Sequence, residues 1–206
     1  MYSAMKFFCA WLGLIGGVLW AFKSGYDWLG LGRVVHRGYS PSDPTDYVVF
    51  LCPLLCIGSV LAAALYNRTR HGVSQMLLAA GLLLNGAFYY AEAYLMGSDI
   101  PFGLLFLAGG SLLSLTGLTM LVYRLWRSNA APRSLRGVAG ALLVLTILFL
   151  LSPFLTESLQ AEAATAITVV LAGLIGLCWS GIGVVMLSLR SEPQGLRRSL
   201  NAPASQ

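Results

Sequence analysis

The residues most able to do chemistry fall into a few small groups. Asp43 and Asp46 flank Pro44 and Thr45 in the stretch YSPSDPTDYVVF, just ahead of a long apolar run. Asp99 holds a matching place in GSDIPFG. Carboxylates gathered on one side of a protein could supply oxygen ligands to a hard cation such as calcium. No spacing resembling an EF-hand loop is present, so no metal site is expected. The same residues also start helices. Asp43 suits the N-cap, where its side chain accepts a bond from an orphan amide. Pro44 suits the first helical position, and Asp46 complements the positive end of the helix dipole. Ser98 or Asp99 with Pro101 repeats the device. Helix initiation accounts for every one of these residues. Asp43, Asp46 and Asp99 remain candidates for binding on the outer face.

A second group lies inside apolar segments. Asn85 and Glu92 are seven residues apart and share a helix face. Ser111 and Ser114 share a face with Leu118 on the next segment. Buried polar groups of this kind bond a neighbouring helix, worth ~0.6–2 kcal/mol, or line a path for a solute. Asn85, Glu92, Ser111 and Ser114 are therefore the candidate polar seam, with Thr116 beside them.

Cys52 and Cys56 are spaced i, i+4 across Pro53. Two thiolates can ligate a soft metal, but a structural zinc site takes four ligands. No further Cys or His is near in sequence. All four cysteines, Cys9, Cys52, Cys56 and Cys178, sit in apolar runs, so they read as small apolar residues and not as a disulfide framework. His36 and His71 fall in loops on opposite sides, which excludes a haem held by two His on helices. No H-E-x-x-H, P-loop or G-x-S-x-G is present. Neither an enzyme nor a cofactor is expected. No motif is specific to a known family, and the overall pattern is that of small multi-pass bacterial membrane proteins.

These residues must be positioned by membrane helices. The chain has 206 residues, 57% apolar and only 10% charged, where a soluble domain carries about 25% charged residues. The formal charge of +5 is dispersed between apolar runs, so it reads as topology and not as a nucleic-acid surface. A spanning helix needs about 20 apolar residues. Six segments qualify, at about 4–24, 46–66, 74–96, 101–123, 137–155 and 164–189. The expected fold is all-α: a polytopic six-transmembrane-helix bundle over 1–190 and a disordered cytoplasmic tail over 191–206. The first apolar run reads as a retained helix and not as a cleaved leader. Pro53 and Pro153 should bend or end their helices.

Arg68 and Arg70, then Arg124, Arg127, Arg133 and Arg136, then Arg190, Arg197 and Arg198 mark one side. The 97–100 and 156–163 loops have no Lys or Arg. The positive-inside rule then puts both termini in the cytoplasm, with Arg33 and Arg37 as the discordant residues. Tyrosines gather at the outer edges, and small residues (Gly13 and Gly17; Gly58 and Ala62; Ser59 and Ala63; Ala172, Gly176 and Ser180) allow close helix contact. The endings LWAFKSGYDW and NGAFYYAEAY hint at a duplicated hairpin. The expected function is a non-enzymatic accessory or partner-binding module of the bacterial cell membrane, its partners the lipid bilayer and other membrane proteins. The alternative is a small solute or ion transporter using the polar seam.

Overall fold

The structure is a computed structural model that describes residues 2–30, 47–67, 72–90, 101–127 and 131–189. Among the described residues it is all-helical. The helices are α1 (Tyr2–Leu29), α2 (Tyr47–Asn67), α3 (Gly72–Tyr90), α4 (Pro101–Arg127), α5 (Arg133–Leu155) and α6 (Ala161–Ser188). Three are long and apolar enough to cross a membrane: Ser3–Leu29, Arg133–Leu155 and Ala161–Ser188. Leu51–Leu65 and Gly72–Ala87 are shorter apolar helical stretches. Large apolar side chains such as Phe8, Phe22, Met76, Leu112 and Phe154 point outward from the bundle. So many large apolar side chains facing outward suit lipid better than water. This is a membrane protein. Asp43, Pro44, Asp46, Ser98 and Asp99, the end of the third expected span (91–96) and the 191–206 tail lie outside the described residues. Pro101 does open α4, where its missing N–H leaves no intrahelical bond unmade.

Each helix packs on the next in sequence, and α1 also packs on α6, which closes a ring. Helix α2 touches α6 across it. Lipid is as apolar as leucine, so burial alone does not drive such contacts; close backbone approach does. Glycine permits it here. A Cβ on Gly13 would lie 2.5 Å from the Ser59 backbone nitrogen of α2, and one on Gly17 would lie 2.5 Å from the Gly176 carbonyl oxygen of α6. The GxxxG of α1 is thus divided between two neighbours. On the far side, α3 and α4 form an antiparallel pair in which Gly117 receives Leu78 and Gly81 receives Ser114.

The helix ends are tied by side chains. The Lys6 ammonium donates to the Leu189 carbonyl just beyond α6, supplying a cation to orphan carbonyls at a negative dipole end. The start of α1 and the end of α6 therefore share one end of the bundle. Near the other end of α1, buried Lys23 pairs with Asp27 at 2.5 Å. In α5, Pro153 has no N–H to offer the Phe149 carbonyl. The Ser152 hydroxyl donates to that carbonyl instead, at 2.7 Å. Pro153 lies inside the helix, which ends two residues later at Leu155.

Candidate functional site

The α3–α4 seam is built reciprocally. Gly81 and Asn85 sit one turn apart on α3; Gly110 and Ser114 sit one turn apart on α4. A Cβ on Gly110 would lie 2.7 Å from the Asn85 side-chain oxygen, and a Cβ on Gly81 would lie 2.3 Å from the Ser114 hydroxyl. Each helix thus makes room with a glycine for the polar side chain of the other. A larger residue at either glycine would push that side chain out of the seam.

This seam borders a cavity of about 80 Å³ inside the bundle. Asn85, Ser111 and Ser114 line it from the seam, and Thr146 lines it from α5. Trp20 and Trp179 bring aromatic walls from α1 and α6. Pro53 of α2 also lines it, so a break in the helical bonding ladder abuts the cavity. A water needs about 10–15 Å³ of such space, so the cavity has room for roughly five waters or a solute of a few heavy atoms.

Two of the polar atoms beside this cavity lack a partner. Hydroxyls buried in apolar helices ordinarily bond back to a carbonyl one turn earlier. Thr146 does so to Leu142, Thr156 to Ser152, Thr168 to Ala164 and Ser180 to Gly176, at 2.7–3.1 Å. The Ser114 hydroxyl does not, although the residue is only 8% exposed. The Asn85 side-chain oxygen is likewise buried and accepts no bond. Leaving such a group unmatched costs about 1–3 kcal/mol, so the seam carries a polar cost that its close packing must offset.

Three of the residues expected to form a polar seam, Asn85, Ser111 and Ser114, therefore meet at one cavity. Leu118 joins them there. Glu92 lies outside the described residues, as do Asp43, Asp46 and Asp99. Thr116 does not belong to the seam. It is exposed, because two positions from Ser114 on a helix is about 200° around the axis. Cys52 and Cys56 are fully buried and free, Cys9 is buried and free, and Cys178 is free and half-buried. No group of three or more His, Cys, Asp or Glu able to hold a metal gathers among the described residues. Sequence reasoning missed Trp20, Thr146 and Trp179 as wall residues and Gln75 as a buried polar group. Tryptophan and threonine in an apolar run look like ordinary packing. Gln75, three residues into α3, looks like a residue of the membrane edge.

No family model, no curated protein and no solved structure matches the chain.

Proposed function

We propose that this chain is a multi-pass, non-enzymatic membrane protein that handles a small polar solute at the α3–α4 seam. The sequence ranks this reading behind an accessory module. The observation that carries it forward is the convergence of Asn85, Ser111 and Ser114 on one cavity, with two of their polar atoms buried and unmatched. In this reading all six helices cross the bilayer of a bacterial cell, with both termini in the cytoplasm. The seam glycines hold the polar side chains at the cavity wall, and the tryptophans keep the rest of the wall apolar. The direct test is permeation. Purified protein in proteoliposomes should admit water or urea faster than protein-free vesicles, and Thr146→Leu, which enlarges a wall residue outside the tight seam, should reduce the difference. Wild-type vesicles no faster than protein-free ones would sink the reading.

The accessory-module reading draws support from a different place. An open apolar groove runs between α1 and α6, lined by Ala21, Ser24, Gly25 and Gly173 among others. A Cβ on Gly25 would meet nothing within 4 Å. Small residues on an open face let a further helix approach closely, which suits a transmembrane segment of a partner. A co-purifying membrane protein lost on Gly25→Leu would favour this reading over the first.

A further inference from the structure

The start of α5 gathers positive charge around a hollow. Arg133 opens the helix and Arg136 follows within the next turn. These two, with Gly137 and with Trp126 of α4, line an open pocket of about 310 Å³. A Cβ on Gly140 would lie 3.8 Å from the Trp126 indole nitrogen, so the indole lies against α5. A Cβ on Gly137 would meet nothing within 4 Å, so the hollow stays open beside it. Arg133, Trp126 and Gly137 are exposed and Arg136 is partly so, which leaves the pocket within reach of a ligand. Arg133 and Arg136 make no ion pair among the described residues. No acidic residue stands in the first turn of α5 and no side chain caps it, whereas α6 carries Glu162 in its first turn. Glu157 and Glu162 lie beyond the other end of α5, about 34 Å away along a helix of 23 residues. The two guanidinium groups therefore add to the positive end of the helix dipole.

Guanidinium and indole groups donate hydrogen bonds and never accept them. The described lining thus fits a negatively charged group that only accepts, and arginine matches phosphate with paired N–H groups. Position selects the carrier. Helix α5 is long and apolar enough to cross the membrane, and its first turn then stands at the edge of the hydrocarbon. From Gly137, Ala141, Val144, Leu148 and Leu151 follow at steps of four, three, four and three, and all are exposed. They make one apolar face running from the pocket along the helix. Gly137 to Leu148 rises about 16 Å, close to the ~15 Å depth of one leaflet's hydrocarbon.

We propose that this pocket binds the phosphate group of an anionic phospholipid, held by Arg133 and Arg136 with the Trp126 indole N–H as a third donor. The acyl chains then lie over the exposed face of α5. The described lining supplies no acceptor for the ammonium of a zwitterionic headgroup, so the pocket favours the anionic lipid. The inference requires that α5 cross the membrane and is independent of the solute-handling reading above.

The test uses the full chain in a neutral detergent, with native mass spectrometry to count lipids retained from an equal mixture of phosphatidylglycerol and phosphatidylcholine with the same acyl chains. Wild type should retain phosphatidylglycerol preferentially, and Arg133→Gln with Arg136→Gln should weaken that retention by about tenfold or more. Gly137→Leu keeps both charges but fills the pocket, and should weaken it as well. Arg124→Gln with Arg127→Gln removes the same charge from the end of α4 and should leave retention near the wild-type level. An unchanged melting midpoint in lipid-free detergent establishes that each variant folds. Arg133→Lys with Arg136→Lys replaces the glutamine pair if that pair does not, since lysine keeps the charge without the paired donors. Equal losses from the two arginine pairs, with Gly137→Leu unaffected, would mean a diffuse basic rim and overturn the pocket. No preference in wild type would overturn it outright. Excess inorganic phosphate should not displace the lipid; if it does, the site is one for soluble phosphate and the lipid assignment falls.

Discussion

Ser152 and Pro153 show how a single polar atom repairs a membrane helix. A carbonyl without a partner is costly where water is scarce, and Pro153 creates one at Phe149. The Ser152 hydroxyl covers it, and it also lies 3.4 Å from the Thr168 hydroxyl of α6. Ser152→Ala should lower stability by about 0.5–1.5 kcal/mol, the net worth of one such bond. In a Pro153→Ala background the new amide can serve the Phe149 carbonyl, so the same change should cost less. A double-mutant cycle on detergent unfolding measures the difference; equal costs in the two backgrounds would show that the bond is incidental. Pro153 was legible in the sequence as a helix disturbance. Its repair was not, because serine before proline is equally at home as a turn residue.

At the scale of elements, α1 does more than its sequence suggests. Gly13 and Gly17 read as one small-residue stripe for one partner. Four residues on an α-helix advance about 400°, which leaves a 40° offset, and α2 and α6 take one glycine each. Gly17→Ala puts a methyl 2.4 Å from the Ser180 nitrogen. Backbone cannot yield as a flexible side chain can, so the change should destabilise by about 1–3 kcal/mol. Gly25→Ala and Gly137→Ala meet open space and should be neutral or stabilising by up to about 1 kcal/mol through helix propensity. Unfolding midpoints in micelles compare the three; equal midpoints would mean that the α1–α6 contact is slack. Helices α1 and α4 also run past their expected edges, 4–24 and 101–123, to Leu29 and Arg127. A hydropathy scan stops at charge, whereas the helix continues because Lys23 pairs with Asp27 one turn on and Arg124 and Arg127 suit a negative dipole end.

For the whole molecule, the shared position of the α1 start and the α6 end fits an even number of crossings. Reporter fusions test the sidedness. A fluorescent protein at the C-terminus and one in the 124–136 loop should both fluoresce in the cytoplasm, and alkaline phosphatase placed at Glu157 should be active outside. Phosphatase active in the 124–136 loop would overturn the proposed orientation.

Composition and spacing alone determined that the chain is helical and membrane-bound, and nearly where each helix lies. Hydropathy and the reach of a helix across lipid are local, additive properties, so they are written along the chain. The same patterns marked Asn85, Ser111 and Ser114 as a possible seam, because a polar residue in an apolar run stands out one residue at a time. Only the tertiary structure decided that these three meet at a cavity, that Thr116 turns away from it, and that Trp20, Trp179 and Gln75 matter. Which faces of different helices meet depends on glycines tens of residues apart admitting each other's backbones. Such pairwise fit between distant positions has no signature in either stretch read by itself.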